Sequence, residues 1–303
     1  YFYNASYKQL KWKSLFLPAT ETELKSYRTS YERAYYQKYD ASIRPTGYKD
    51  DVAGEARMQA LVREIAGFLS KDMADKGASI DTDGDGFVDN LCIIFSGNSE
   101  LSAKRGILWP QRKDLALPEE KAIYIAGKKL ASYIMVFDGA NGFNSQFDGI
   151  TLNTGVLCHE MSHSLGTYDL YHVSGALNPV GVWDLMSDNQ ITPQGMTAYT
   201  KMRYCKWIDQ IPEIKEAGTY TLNPLSGTTT DKIAYKIKPI GSDEYFVVEY
   251  RKKEGCDANL PASGLIIYRI CPQYTGGNVN YNGTTRLDEQ YIFRPGGTVT
   301  ADG

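Results

Sequence analysis

The stretch "CHEMSHSLGTYDLYH", residues 158–172, contains all three histidines of a 303-residue chain: His159, His163 and His172. His159, Glu160 and His163 form HExxH. Helix positions four apart lie on one face with Cβ atoms about 5–6 Å apart, so two imidazoles at that spacing can share one metal ion. Glu160, beside them, is placed to take a proton from a water that a Lewis-acidic zinc holds. A catalytic zinc takes three protein ligands and keeps one position open, so the motif needs one more donor. Gly166 offers the turn that brings the chain back, and two donors follow it: Asp169, six residues past His163, and His172, nine past it. The glycine-then-ligand spacing favours Asp169, the scarcity of histidine favours His172, and the two alternatives stay open. They differ in consequence, because a carboxylate offsets part of the zinc charge whereas three neutral imidazoles leave the full dication to acidify the water. The donor not used is expected to hydrogen-bond a ligand and orient it.

A second group of donors lies in "DTDGDGFVD". Asp81, Asp83 and Asp85 at alternate positions, Gly86 at the turn, the Phe87 carbonyl and Asp89 correspond to the first nine positions of an EF-hand loop. The twelfth position is Cys92, where such a loop has a bidentate glutamate, and strand-like sequence follows in place of a helix. The expectation is a structural calcium site without sensor architecture, since aspartates crowded together without a cation repel one another. Tyr168, Tyr171 and Tyr199 are candidates for stabilising an oxyanion.

The elements that must hold these residues can be read from periodicity. "ITLNTGVLCHEMSHSLG" fits a helix ending at Gly166, which puts both motif histidines on one face. "DVAGEARMQALVREIAGFLSKDMADKG" carries Leu61, Ile65, Phe68, Leu69 and Met73 as one apolar stripe with Gly77 as its stop, and "ETELKSYRTSYERAYYQKY", residues 21–39, reads as a further helix. "NLCIIFSG" and "ASYIMVFDG" are β-branched, apolar runs that read as buried strands. The opening "YFYNASYKQLKWKSLFLPA" alternates aromatic and polar residues and suggests an extended, hairpin-like start. Beyond Ile214, "KIAYKIKPIG", "EYFVVEYRKK" and "GLIIYRICP" are short runs separated by Gly, Pro and Asp. The reading is an α+β fold: a zincin-like catalytic domain over residues 1–213, with a mixed sheet and an active-site helix, then a β-rich, sandwich-like module over 214–303. "RKKEG" from Arg251 reads as a solvated turn.

"HEMSHSLGTYDLY" followed by "GVWDLMS" resembles the immune inhibitor A family of secreted zinc endopeptidases, with its HExxHxLGxxDxY stretch and following W-x-x-M-S segment. "DTDGDGFVDNLCIIFSG", "LWPQR" and "EYFVVEYRKKEGCDANLPASGLIIYRI" extend the likeness from about Tyr1 to about Ile270. The resemblance implies a zincin catalytic domain, peptide-bond hydrolysis, export from the cell and calcium as a structural ion. Met186 is similar to the methionine turn beneath the zinc of metzincins. In the family the residue nine past the second histidine is usually acidic; here it is His172, which keeps the third ligand open.

Composition narrows the partners. A formal net charge of −3 offers no electrostatic reason to expect nucleic acid or an anionic membrane. No apolar window approaches the roughly 20 residues of a membrane-spanning helix, and the first residues lack the apolar block of a signal peptide, so a secretory segment is not in this chain. Five cysteines at irregular spacing do not make a disulfide scaffold, although Cys256 and Cys271 could pair. The function expected is a zinc-dependent endopeptidase acting on proteins or peptides, with Glu160 as general base. The competing class is a non-catalytic, peptidase-like adhesion module, against which the intact Glu160 argues; a third is hydrolysis of another acyl or amide bond by the same apparatus.

Overall fold

The computed structural model describes residues 1–18, 23, 25–74, 79–99, 106–139, 153–172, 178–277 and 287–294. Contacts divide the chain into two compact units, residues 13–153 and residues 1–12 with 154–303. The sequence boundary between residues 213 and 214 therefore falls inside a unit, because the HExxH helix and the C-terminal strands share one core. Residues 1–12 belong to that unit too. Their alternating pattern predicts a hairpin, but Phe2–Ala5 forms a helical turn, α1. Phe2 and Ala5, three apart, are both buried in the core that holds Cys158 and Leu185, and burial at helical spacing overrides the aromatic strand preference.

In the unit 13–153, helix α2 (Asp51–Ala74) forms where the periodicity predicts it. The Asp50 carboxylate accepts the Ala53 N–H at 2.8 Å and satisfies one of the orphan donors of the first turn. Met58, Leu61, Val62, Ala66, Leu69 and Met73 make the buried stripe, packed in one core with Tyr133, Met135 and Phe137. Each of the larger side chains in this stripe contributes about 1.5–3 kcal/mol. Gly77, the expected stop, lies outside the described residues. The helix expected over residues 21–39 does not form; its described part holds only a 3-10 turn at Arg33–Tyr36. That segment's polar groups find other partners: Thr29 Oγ1 donates to Tyr31 O at 2.8 Å, and Glu64 of α2 accepts the Ser30 N–H and the Tyr27 hydroxyl.

Strands β1 (Cys92–Phe95), β2 (Gln111–Asp114), β3 (Tyr124–Ile125), β4 (Lys128–Lys129) and β5 (Ser132–Phe137) complete this unit. β5 is central in a mixed sheet, parallel to β1 with Ile93 opposite Met135 and antiparallel to β2 with Arg112 opposite Ile134. β3 and β4 pair with each other.

The other unit carries helix α3 (Thr154–Ser162), which tightens into a 3-10 turn at His163–Leu165 and ends at Gly166. Helix α4 (Ala198–Arg203) follows, its start capped by Thr197 Oγ1, which accepts the Thr200 N–H at 3.2 Å. Strands β6 (Ala234–Ile237), β7 (Tyr245–Arg251), β8 (Gly264–Ile270) and β9 (Gln290–Ile292) form one antiparallel sheet in that order. Among the described residues this is a single four-stranded layer; the expected second layer of a sandwich is not seen, because the buried face lies in one core with Met186, Tyr199 and Trp207. That face carries Val247, Ile266, Tyr268 and Ile270, and also Glu249 and Arg251. Arg251, expected in a solvated turn, is fully buried: its guanidinium donates to both Asp257 carboxylate oxygens at 2.8 and 2.7 Å and to the Trp183 and Gly195 carbonyls. None of the five cysteines is in a disulfide, and Cys271 donates to Glu244. No helix among the described residues is long and apolar enough to cross a membrane.

Candidate metal centre

α3 is short and buried, with Val156, Cys158, His159, Glu160 and Ser162 all turned inward. Gly166, at φ +87°, adopts the left-handed conformation that ends such a helix and sends the chain back past its own last turn. The return brings Asp169 to the motif histidines. Asp169 Oδ1 lies 3.0 Å from His159 Nε2 and 3.3 Å from His163 Nε2, and one donor atom from each of the three residues falls within 4.8 Å of the others.

The opposite ring nitrogens are held by backbone. His159 Nδ1 donates to Leu185 O and His163 Nδ1 to Thr167 O, both at 2.9 Å. A carbonyl can only accept, so each Nδ1 carries the proton, and in the neutral rings each Nε2 presents a lone pair. Two lone pairs and a carboxylate oxygen then converge on one point, which only positive charge can reconcile. Burial works against a proton on His159, but the hydrogen bond to Asp169 and the charge of Glu160 outweigh it and lift its pKa to about 9. Burial likewise raises the Asp169 carboxyl, and its hydrogen bonds to both imidazoles overcome that and hold it well below the usual range. The donor set fits zinc: two nitrogens and one oxygen, each imidazole oriented by a carbonyl on its far side. With metal–donor distances near 2.0–2.1 Å, ligand atoms at tetrahedral angles stand about 3.3 Å apart, close to the spacings found.

The Leu185 carbonyl is fixed in turn. Asp184, fully buried, accepts the Met186 N–H and the Thr197 N–H at 2.8 Å each, and the Thr200 hydroxyl at 2.8 Å. Met186 is fully buried, and its carbonyl accepts the Leu170 N–H at 2.8 Å, so residues 184–186 touch both His159 and the segment bearing Asp169.

His172, the other candidate donor, is not gathered with these three. Its Nε2 pairs with Asp288 Oδ1 at 2.6 Å, and both side chains are buried. Of the three tyrosines, Tyr199 is buried with its hydroxyl donated to Glu289 at 3.0 Å, which commits it elsewhere. Tyr168 is half-exposed and Tyr171 stacks 6.3 Å from the His159 ring.

In the aspartate loop, Asp81, Asp83 and Asp89 come together and Asp85 does not; its Oδ1 accepts the Phe87 N–H at 2.8 Å. Asp81 accepts the Gly84 and Gly86 N–H groups, and Lys128 Nζ lies 2.6 Å from its Oδ2, which holds the carboxyl below its ordinary value. The Thr82 hydroxyl donates to Asp89 at 2.6 Å. The oxygens are of the type calcium takes, while Lys128 already supplies one positive charge.

A family model described as "Immune inhibitor A peptidase M6, catalytic domain" matches residues 24–203. The chain belongs to that family. As a member of the immune inhibitor A peptidases it is a hydrolase of the peptidase class, and the matched segment contains HExxH, Gly166, Asp169 and Met186. No curated protein matches the chain. The residues of this M6 peptidase that sequence reasoning missed are the ones acting through backbone or from afar: Thr167, Asp184, Leu185 and Asp288. The "GVWDLMS" likeness covers Asp184 and Leu185 without giving either a role, whereas nothing in the sequence announces a partner for His172 at position 288.

Proposed function

We propose that this chain is a zinc-dependent endopeptidase of the zincin type, acting outside the cell on protein or peptide substrates. The observation that carries the reading is the convergence of His159 Nε2, His163 Nε2 and Asp169 Oδ1, with each Nδ1 tied to a carbonyl. His159, His163 and Asp169 would hold the ion. Zinc, when bound, acidifies a water molecule and polarises the scissile carbonyl as a Lewis acid. Glu160, one residue beyond His159 and largely buried, receives the water's proton on a carboxylate oxygen and returns it to the leaving amine nitrogen. Tyr168 and Tyr171, on the same returning segment as Asp169, are the candidates to donate to the developing oxyanion. Asp81, Asp83 and Asp89 would bind a structural calcium ion, for which Lys128 must release the Asp81 carboxylate.

Glu160→Gln keeps shape and volume but removes the proton acceptor. It should retain zinc at one ion per chain and the wild-type unfolding midpoint while hydrolysis of casein falls by about 10²–10⁴-fold. Wild-type turnover in that variant would rule out the assigned role. Absence of casein hydrolysis both with and without a zinc chelator would favour the adhesion-module alternative.

A further inference from the structure

The segment that carries Asp169 is gripped from the far end of the chain. The Gly277 N–H donates to Asp169 O at 2.8 Å. A Cβ on Gly277 would stand 2.3 Å from Leu170 O and 2.5 Å from its carbonyl carbon; one on Gly276, at φ +67°, would stand 2.7 Å from Asp169 O. These are backbone atoms on both sides, so only a glycine pair allows the approach. Gly276 is anchored in turn. Its N–H donates to Glu289 Oε2 at 2.8 Å and its carbonyl accepts the Glu289 N–H at 3.3 Å. Glu289 is fully buried, where it accepts the hydroxyls of Tyr199 and Tyr204 and faces Arg203 Nε at 3.2 Å. Next to it, Asp288 holds His172, three residues past Asp169, at 2.6 Å. The returning segment is thus fixed by Gly277 at Asp169 and by Asp288 at His172.

All four of these residues lie beyond residue 203, the end of the match to the family's catalytic domain. We propose that Gly276–Gly277 and Asp288–Glu289 are positioning residues for the zinc centre, setting the Asp169 carboxylate against the two imidazoles. The C-terminal segments that flank β8 and β9 are then a working part of the catalytic site. This rests on Asp169 being the third zinc ligand. A carboxylate on a loop loses affinity for the ion when its backbone is free to move, and the groups that orient a ligand are typically worth about 10–100-fold in metal affinity.

The test is zinc affinity by chelator competition in the 303-residue chain, for Gly277→Ala, Asp169→Ala and the double variant, with thermal unfolding alongside. Gly277→Ala is expected to weaken zinc by about 10–100-fold and to change affinity by less than about twofold when Asp169 is already alanine, since the turn then has no ligand to position. Equal losses in the two backgrounds would overturn the proposal, as a merely structural role would behave that way. Loss in Asp169→Ala with none in Gly277→Ala overturns it too, and leaves the ligand reading intact. Unchanged affinity in Asp169→Ala overturns the ligand reading and this proposal with it. Should Gly277→Ala fail to fold, Asp288→Asn, which alters the second grip and leaves the glycine turn untouched, is compared in the same two backgrounds against the same criteria.

Discussion

At His159 a proton and the proposed metal ion would compete for one atom. Nδ1 stays committed to Leu185 O, so only Nε2 changes partner. The Asp169 charge that favours a proton there equally favours a divalent ion. Lys201 is a buried cation of the opposite kind. Its Nζ donates to the Tyr7 hydroxyl at 3.1 Å and sits 4.4 Å from that ring's centroid. Burial outweighs the attraction of Asp257 and lowers its pKa from 10.5 to about 8. The folded chain sheds this proton near pH 8 while the unfolded chain keeps it to about 10.5, so between those values the unfolded state binds more protons and stability rises with pH, by up to about 1.4 kcal/mol per pH unit. Below pH 8 both states are protonated and the contribution is level. Lys201→Met should abolish that rise. Urea unfolding of both proteins from pH 7 to 10.5 checks it, and parallel pH curves would count against the burial argument.

At the scale of elements, α3 works because it stops where it does. Gly166 has nothing within 4 Å of a built Cβ, so its glycine is required by backbone conformation alone. Gly166→Ala should cost about 1–2 kcal/mol of stability through left-handed strain and weaken zinc, because the same turn carries the chain from His163 to Asp169. Gly166→Asn, a residue that tolerates this conformation, should recover most of both. Denaturant unfolding and zinc titration of the two variants test this; equal losses in alanine and asparagine would point away from the turn. Elements with strong apolar periodicity, such as α2 and β5, are legible in the sequence because burial of their stripes dominates every local term. The segment over residues 21–39 is not, since tyrosines at helical spacing satisfy the pattern without supplying a fully buried stripe.

For the whole molecule, the consequence of the proposed centre is that metal affinity and stability would be linked in one unit. Trp12, Trp183 and Trp207 fall in the unit that holds the metal centre and Trp109 in the other. Zinc at about 1,000 times its dissociation constant adds about 4 kcal/mol to a folded state that alone binds it. Thermal unfolding followed by tryptophan fluorescence should therefore shift down on adding a zinc-selective chelator, and return on adding excess zinc. A midpoint indifferent to zinc would contradict the proposed centre. The buried Arg251, Asp257 and Glu249 group shows why the sequence misleads here: "RKKEG" looks solvated until Asp257, six residues on, folds back to neutralise the arginine.

The HExxH spacing and the glycine stop after it are local patterns, and helix geometry with the left-handed turn puts both histidines together and sends the chain back past them; that much the sequence determined. It could not choose between Asp169 and His172, since both follow the turn at workable distances. Tertiary structure made the choice of neighbours. The grip of Gly277 sits at Asp169, and Asp288, 116 residues from His172 along the chain, engages that histidine. A contact of such separation leaves no trace in local periodicity, because it is chain closure that brings the two residues together.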